Sequence, residues 1–369
     1  MIILSGTVQM KLVGKLLTYP ILAVNWVISL LMVFSCYASL AAPVGKWPFA
    51  SLSGLAFPYL FTANFLFLLF WTVFWRKGAL LPLFTLIICM GPALNWWPVH
   101  PLAERHLTGD ELTVVTYNTE GFGTDDNKDW SMDNPVLNYA VGLGADILLM
   151  QETSASMMNS VRKDRRFTDI YPYIASTGSP TGESCMSRYP IIHNERISFD
   201  KSGNSCLYLR ILMPGGDTLA VYNCHLQSNM LNVDELEEYQ KFIGNPKDTT
   251  HYKASKQVLK KLLASTSQRA GQAGMIAGRA RSESARYLIV CGDFNDTQLS
   301  HSHRLFNRFM YDTYSRSGNG PGLTYHEHGL HYRIDHILCS RNMTPVHSRV
   351  DRTQKDSDHY PVISRVRLE

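Results

Sequence analysis

The chain has 369 residues, of which 45% are hydrophobic, and its formal charge at pH 7 is +4. The first hundred residues contain five basic residues and no acid, so the remainder holds 30 basic and 31 acidic residues. This nearly neutral remainder lacks the strongly basic field typical of proteins that bind nucleic acid mainly through its backbone. The length favours two structural units.

Three stretches without charge fill the N-terminal hundred residues. Each is long enough to supply the roughly 20 apolar residues with which a helix crosses a hydrocarbon core. We therefore predict three transmembrane helices, at about 17–42, 52–75 and 79–97. The first stretch could instead be a cleaved signal peptide with "ASLAA" as its processing site, although its apolar region is longer than usual.

The basic residues of this segment predict its orientation. Lys11 and Lys15 precede the first predicted span, and Arg76 and Lys77 join the second to the third. By the positive-inside rule both pairs lie in the cytoplasm. We expect a multi-pass protein of the cell membrane with a cytoplasmic N terminus, a lipid bilayer as partner and everything after residue 100 outside the cytoplasm.

Residues 101–111 are polar and are predicted to be a linker to a domain at 112–369. Strand-like runs rich in β-branched residues alternate there with helical patterns and turn-rich connectors. The runs are "LTVVTYN", "ADILLMQE", "LYLRILM", "TLAVYNCHL", "RYLIVCGDFN", "YRIDHILCS" and "PVISRVRL". This order indicates an α/β domain with mixed sheets.

A helical segment at 252–286 carries eight Lys or Arg residues against Glu283. It could bind anionic lipid headgroups or a polyanionic substrate, but we favour the simpler interpretation of a solvated helix face. Seven cysteines cannot all pair. We expect mostly buried thiols, with a Cys185–Cys206 disulfide as an alternative outside the cytoplasm.

Polar side chains unsuited to a core follow one strand after another. Because ligands bind outside the strand ends of helix-flanked sheets, these residues are candidates for one site. They are Asn118, Glu152, His225, Asp293, Asn295, Asp335, Asp358 and His359. On an extended backbone Asp293 and Asn295 point the same way, whereas Asp296 and His336 point away from the site.

Ordered motifs make the domain resemble the endonuclease/exonuclease/phosphatase family over essentially all of residues 112–368. They are "TYNTEGFG", "DILLMQET", "SRYPI", "NCHL", "GDFND", "RIDHI" and "SDHYP". The resemblance implies a four-layer α/β sandwich, with two mixed β-sheets face to face and helices outside. It also implies metal-dependent hydrolysis of phosphate esters, usually with magnesium, and manganese is an alternative ion.

The predicted metal ligands are Glu152, Asn118 and Asp358, because magnesium prefers oxygen ligands and needs only one or two carboxylates. Asp293 is the predicted base that activates water, and Asn295 positions the water or a phosphoryl oxygen. Asp335 orients a charged His359 toward the phosphate, and His225 donates to it from another strand. Glu183 is a candidate support for His225. A zinc site at His326, His328 and His331 is disfavoured.

Three functions remain open on the sequence. The first is a membrane-anchored phosphoesterase acting on a phospholipid, another phosphodiester or a phosphomonoester outside the cytoplasm. The second is a nuclease with the same chemistry, and the third is a non-catalytic membrane scaffold. No obligate protein partner is predicted, and specificity within such a fold lies in loops that the shared motifs do not describe.

Overall fold

The structure, a computed structural model, describes residues 3–41, 47–101, 111–123, 132–179, 181–229, 250–327 and 329–369. The chain divides into two compact units, Met1–Leu94 and Asn95–Glu369. Ala42, Lys46, His328 and most of the predicted linker lie outside the described residues.

The N-terminal unit is helical throughout the part that the structure describes. Its helices are α1 (Ile3–Ala41), α2 (Pro48–Leu52), a 3-10 turn (Ser53–Ala56), α3 (Phe57–Phe74), α4 (Leu80–Ile88) and α5 (Met90–Trp96). Two segments, Thr18–Leu40 and Pro48–Phe74, are long and apolar enough to cross a membrane. This is weak support for membrane association, because length and composition are the only criteria.

The third predicted span, at 79–97, is not a continuous helix. It breaks at Cys89 into α4 and α5, each too short to cross a hydrocarbon core alone. Pro92 accounts for the break, because it has no N–H for the carbonyl of Ile88 and its ring crowds that carbonyl. Two of the three predicted transmembrane helices are thus long enough to be candidates for crossing, and the count of three is not confirmed.

The interior of the N-terminal unit is polar where α1 meets α3. Ser29 donates a hydrogen bond to the side-chain oxygen of Asn64 at 2.8 Å, and the Trp71 indole donates to that of Asn25 at 3.0 Å. All four side chains are buried. Large apolar side chains such as Leu30 and Val73 are instead exposed. The helices are thus joined by polar contacts inside and are apolar outside.

The C-terminal unit contains two six-stranded sheets. Its strands are β1 (Glu111–Asn118), β2 (Ile147–Thr153), β3 (Tyr173–Ser176), β4 (Gly182–Ser187), β5 (Ile191–Ser198), β6 (Ser205–Leu212), β7 (Thr218–His225), β8 (Tyr287–Asp293), β9 (Met310–Asp312), β10 (Asp335–Ser340), β11 (Met343–Val350) and β12 (Val362–Leu368). The strand orders are β11-β12-β1-β2-β4-β3 and β5-β6-β7-β8-β10-β9. Both sheets are mixed, because β1 pairs with β2 and β7 with β8 in parallel while the other pairs are antiparallel.

Three apolar cores give this unit four layers. The central core, with residues such as Val114, Leu149 and Val221, lies between the sheets. A second core packs the first sheet against the helices α6 (Pro135–Gly142), α7 (Ala155–Val161) and α8 (Arg165–Thr168). A third packs the second sheet against α9 (Thr250–Arg281) and α10 (His301–Asn307), and a short helix α11 (Thr313–Ser317) follows β9. The predicted α/β fold with two mixed sheets flanked by helices is confirmed.

The packing separates the two cysteines that were candidates for a disulfide. Cys185 lies in the central core, whereas Cys206 lies in the core beneath α9. The second sheet therefore stands between the two thiols, and all seven cysteines are free.

The basic segment at 252–286 does not form one continuous basic surface among its described side chains. Arg269 is buried, with 3% exposure. Arg279 pairs with Glu195 at 2.7 Å, and Arg286 pairs with Asp217 at 2.8 Å. This division favours the interpretation of a solvated helix face.

A buried polar network joins the two sheets. The Gln151 amide donates to the hydroxyl of Thr116 at 3.0 Å and to the side-chain oxygen of Asn223 at 2.6 Å. The Asn223 amide donates in turn to the carbonyls of Met150 and Ser184, at 3.0 Å each. Buried polar groups need such partners, so these bonds hold β2 and β7 at a defined separation.

Candidate active site

The sheet topology brings the predicted residues to one edge. The parallel pairs β1–β2 and β7–β8 end on the same side, and the antiparallel β10 begins there with Asp335 opposite Asp293. The segment before β12 supplies Asp358 and His359. Side chains from all these elements are linked by the contacts described below.

Asp293 lies at the centre and is 1% exposed. Its Oδ2 accepts from the amide of Asn118 at 3.1 Å and lies 3.7 Å from Nε2 of both His225 and His359. Burial raises the pKa of Asp293, because the charged form is deprived of water, while the two histidines oppose the shift. The preceding Gly292 has φ 117°, and a Cβ there would lie 2.0 Å from the carbonyl oxygen of Cys224. Only glycine therefore fits so close to β7.

Asn295 reaches the site by a route that strand alternation does not describe. β8 ends at Asp293, and Asn295 has a left-handed backbone with φ 50°. Its backbone N–H donates to Asp293 Oδ1 at 2.7 Å, and its amide donates to Asp293 Oδ2 at 3.2 Å and to the Leu226 carbonyl at 3.1 Å. The two side chains do meet, but because the chain turns back rather than because it stays extended.

Glu152 is turned toward the site by a bulge in β2. The pairing with β4 shifts between Met150 and Thr153, and Glu152 within this bulge has φ 56°. Its Oε1 accepts from the Asn118 amide at 3.0 Å and lies 3.6 Å from Nε2 of His225. The side chain is 31% exposed, so a carboxylate oxygen faces the open side of the site. Bulges commonly redirect a side chain beside a site.

His359 and Asp335 form a buried couple. Nδ1 of His359 lies 2.7 Å from Oδ2 of Asp335, and the exposures are 4% and 1%. Burial alone would lower the pKa of the His359 ring, but the carboxylates of Asp335, Asp358 and Asp293 outweigh it and hold that pKa well above its usual value. These carboxylates therefore favour the charged form of the His359 ring, whose Nε2 lies 3.7 Å from Oδ2 of Asp293.

His225 ends β7 and is 7% exposed. Glu183, the candidate support for His225, is also buried, and Ser205 donates to its Oε2 at 2.6 Å. Its other oxygen has no hydrogen-bond partner, and burial raises the pKa of Glu183. The charge of His225 opposes this rise in the pKa of Glu183, while the described hydrogen bond of Glu183 goes to Ser205.

The sequence interpretation overlooked Glu120. Its backbone N–H donates to the side-chain oxygen of Asn118 at 3.1 Å, and its carboxylate accepts from the Asp358 N–H at 2.9 Å. It therefore ties the loop after β1 to the segment that carries His359. Burial and the charge of Asp358 raise the pKa of Glu120 to about 7. Its place in "TYNTEGFG", two residues after Asn118, was the available signal.

The donor set suits a divalent cation. Burial, together with the negative charges of Glu152 and Asp293, raises the pKa of Asp358 to about 6 despite the opposing charge of His359. Carboxylates gathered in this way repel one another, and hard cations such as Mg²⁺ prefer carboxylate and amide oxygens. The predicted ligands Asn118, Glu152 and Asp358 carry oxygens of this kind. Asp293, Asp335 and His359 form a further group whose ligand atoms lie within 4.8 Å of one another.

Asp296 and His336 lie behind the site, as the sequence indicated. Ser302 donates to Asp296 Oδ2 at 3.0 Å, and the buried Arg269 lies 3.6 Å from the same oxygen. Nε2 of His336 lies 3.0 Å from the Asp296 carbonyl. His303 and Asp312 form a second buried couple nearby, with Nε2 and Oδ2 at 3.0 Å. Neither this couple nor Arg269 was singled out from the sequence.

The histidine-rich loop carries no metal group among its described residues. His326 stacks on Tyr360 with ring centroids 3.9 Å apart, and burial lowers the pKa of His326. Neither His326 nor His331 belongs to a described cluster with metal-ligand geometry.

Comparison with known proteins agrees with this geometry. The sequence profile of the Endonuclease/Exonuclease/phosphatase family matches residues 115–359, and a profile described only as a domain of unknown function matches residues 15–96. No curated protein matches the sequence.

Several solved structures share the fold at low sequence identity. An endonuclease/exonuclease/phosphatase from Beutenbergia cavernae is 16% identical with a TM-score of 0.51, over 70% of this chain and 72% of that one. TDP2 of D. rerio, complexed with a single-strand DNA product, is 14% identical with a TM-score of 0.51, over 70% and 99%. Truncated Caenorhabditis elegans TDP2 is 16% identical with a TM-score of 0.50, over 71% and 100%. The chain belongs to the endonuclease/exonuclease/phosphatase family and is a hydrolase that acts on phosphate ester bonds.

Proposed function

We propose that the protein is a membrane-anchored phosphoesterase that depends on a divalent cation, magnesium or manganese, and uses Asp293 to activate water. The observation that carries this proposal is the convergence of Asn118, Asn295, His225 and His359 on the carboxylate of Asp293. A buried anion surrounded by neutral amides and two imidazoles is expensive to maintain for stability alone.

Asp293 is the group that accepts a proton from the attacking water. Its raised pKa makes it a stronger base than an exposed aspartate. Asn118 and Asn295 each donate an amide hydrogen to Oδ2, which fixes the orientation of the carboxylate. The Asn295 amide lies beside the same oxygen and is suited to position the water.

His359 and His225 are suited to hold the phosphoryl group. The Asp335 carboxylate keeps His359 charged and fixes its Nδ1–H, so that Nε2–H is free to donate to a phosphoryl oxygen. His225 reaches the same region from β7, with Nε2 3.7 Å from Asp293. Charge that develops on the phosphate in the transition state would strengthen both contacts.

Asn118, Glu152 and Asp358 would hold the cation. A bound divalent cation polarises the phosphoryl oxygens and neutralises part of their charge. Glu120 supports this arrangement from behind, because it accepts the backbone N–H of Asp358.

The N-terminal unit supports membrane anchoring and bears on the substrate. Its many exposed large apolar side chains, together with the buried polar contacts between α1 and α3, are unlike the surface and core of a soluble helical domain. The hydrogen bonds between α1 and α3 argue for a retained helix rather than a cleaved signal peptide. An enzyme fixed to a bilayer is well placed to act on a phospholipid or on a small phosphate ester near the membrane.

We further propose that α4 and α5 together cross the bilayer as a kinked third span. Seventeen residues, Leu80–Trp96, would extend roughly 25 Å at 1.5 Å per residue, close to the lower limit for crossing. Three crossings would place the catalytic unit outside the cytoplasm, and two would leave it inside. Protease accessibility of the catalytic unit in sealed vesicles of known orientation decides between them. Digestion from the cytoplasmic side would contradict the three-span topology.

A nuclease is the second candidate function. The similarity to D. rerio TDP2 in complex with a DNA product favours it. The catalytic unit gives the nuclease less support, because binding of the DNA phosphate backbone needs cationic side chains that are not already paired. The unit is nearly neutral, and Arg279 and Arg286 are in ion pairs.

The test is hydrolysis by the full-length protein in detergent with magnesium. Bis-(p-nitrophenyl) phosphate, a phosphodiester lipid, inositol phosphates and plasmid DNA are assayed in parallel, with EDTA and Asp293→Ala as negative controls. Asp217→Asn is the matched control, because it removes a surface carboxylate that pairs with Arg286. Cleavage of lipid or small esters supports the first function, and nicking of DNA alone supports the nuclease. No cleavage by a folded protein, or equal activity of Asp293→Ala, would overturn the proposal.

A further inference from the structure

Cys206 and Cys224 face each other across the antiparallel strands β6 and β7. They are direct register partners, and their Sγ atoms lie 3.4 Å apart. Both side chains are buried, with 0% and 1% exposure. Direct partners on an antiparallel ladder point to the same face of the sheet, so the register holds the two side chains next to each other.

This pair has the separation that a disulfide needs. Opposite residues of an antiparallel pair have Cα atoms about 4.5–5.5 Å apart, and disulfides form when that distance is about 4.4–6.8 Å. The other cysteines of the catalytic unit, Cys185, Cys291 and Cys339, lie in the central core on the other face of the second sheet. Cys206 therefore has Cys224 as its partner on this face.

We propose that Cys206 and Cys224 are a modification site and form a cross-strand disulfide when the catalytic unit folds under oxidising conditions. One thiolate attacks a sulfur of a small or protein disulfide, and the resulting mixed disulfide is then attacked by the second thiolate. The two cysteines are oxidised by two electrons, and the co-reactant disulfide is reduced to two thiols that take up the two protons. The inference does not depend on the proposed substrate or mechanism.

The packing of α9 over Cys206 and Cys224 indicates when the disulfide forms. Ala273, Ile276 and Ala277 of α9 belong to the same apolar core as both cysteines. An oxidant cannot reach the sulfurs once α9 has packed, so exchange takes place before this helix docks. The packed helix then protects the bond from reduction.

The bond would fix the strand that carries His225. Cys224 is the preceding residue, and it pairs with Gly292 of β8 on its other side. A covalent link to β6 would therefore restrain the end of β7 where His225 lies 3.7 Å from Asp293. We expect greater resistance of the catalytic unit to unfolding in the oxidised form.

The test uses the full-length chain synthesised in vitro into lipid nanodiscs, either with a glutathione redox buffer or with dithiothreitol. Free thiols are trapped in acid, alkylated and mapped by mass spectrometry. We expect a Cys206–Cys224 linked peptide in the glutathione sample alone, and a thermal midpoint several degrees higher than in the reduced sample. The double variant Cys206→Ala/Cys224→Ala should lose this difference, whereas Cys339→Ala should keep it. Complete alkylation of both cysteines in glutathione, or a bond between other cysteines, would overturn the proposal.

Discussion

Replacing Asp335 by asparagine removes the negative charge beside His359 while keeping the size of the side chain. The structure gives this carboxylate a 2.7 Å contact with His359 Nδ1 in a buried setting. A hydrogen bond between charged groups contributes about 1.5–3 kcal/mol. Each 1.36 kcal/mol of transition-state stabilisation corresponds to a tenfold change in rate, so we expect kcat to fall by roughly 10- to 150-fold at neutral pH.

The pH dependence of the Asp335→Asn variant distinguishes a catalytic pair from a structural one. The pKa of His359 is raised in the folded protein, so the imidazolium is present at neutral pH and is lost as the pH rises through that pKa. Without Asp335 the pKa falls, and the alkaline limb of the kcat profile should move to lower pH. By linkage, the stability contributed by charged His359 is fully present below its unfolded pKa of about 6.5 and fades as the pH rises through the folded value. The loss of unfolding free energy in the variant should therefore be greatest in acid.

The assay is kcat against pH on bis-(p-nitrophenyl) phosphate for wild type, Asp335→Asn and Asp312→Asn. Asp312 is the matched control, because it forms a buried couple with His303 at 3.0 Å outside the site. Asp312→Asn should lower stability without moving the alkaline limb. If Asp335→Asn shifts neither kcat nor the limb, or if both variants shift the limb equally, the role given to His359 is wrong.

Three further outcomes follow from the contacts of the catalytic unit. Glu152→Gln removes the charge of a predicted metal ligand, so the magnesium concentration for half-maximal activity should rise by roughly 10- to 100-fold in a metal titration. An unchanged magnesium requirement would exclude Glu152 as a ligand. Glu120→Gln keeps an oxygen that accepts the Asp358 N–H and should retain most of the activity, whereas Glu120→Ala should lower kcat by about tenfold. Equal losses of activity in the two variants would mean that the charge of Glu120, and not its hydrogen bond, supports the site. A chain shortened to begin at residue 105 lacks Asn95, whose carbonyl accepts from the buried Arg333. Its free energy of unfolding in urea should be about 1–3 kcal/mol lower than that of a chain that begins before residue 95. Equal free energies of unfolding would show that the contact between Arg333 and Asn95 is dispensable.

The grouping of the polar strand-end residues could be predicted from the sequence, because such residues meet where the strands of these sheets end. Asp293 and Asp335 occupy opposed positions on β8 and β10, and the motif order was sufficient to group them. The contacts that hold these side chains in place could not be predicted from the sequence. The bulge that turns Glu152 toward the site depends on the pairing of β2 with β4, and sequence alternation contains no information on such a register shift.

The pairing of strands distant in the sequence was the second feature that could not be predicted. The contact between Cys206 and Cys224 follows from the register of β6 with β7, whereas the sequence interpretation considered Cys185, which lies across the sheet. The break in the third predicted span could have been predicted from the sequence, because Pro92 alone accounts for it. Apolar length was given more weight than proline chemistry there, so the sequence predicted one continuous helix where the structure has α4 and α5.

Backbone strain is concentrated at the site. Of the five described non-glycine residues with positive φ, four lie at this edge, in its loops or in the bulge of β2, and only Lys201 lies elsewhere; the four are Glu120, Phe122, Glu152 and Asn295. Such conformations are unfavourable and persist where the surroundings enforce them.

Hydrogen bonds between elements hold these strained positions. The N–H groups of Thr119 and Gly121 donate to the carbonyls of Gln151 and Glu152, at 3.0 Å each, so the loop after β1 and the bulge of β2 support one another. Asn295 is held by its bond to Asp293 at 2.7 Å. These bonds lie within the protein and need no ligand to form. Binding of a phosphate analogue should therefore stabilise the fold without moving the main chain at Glu152 or Asn295.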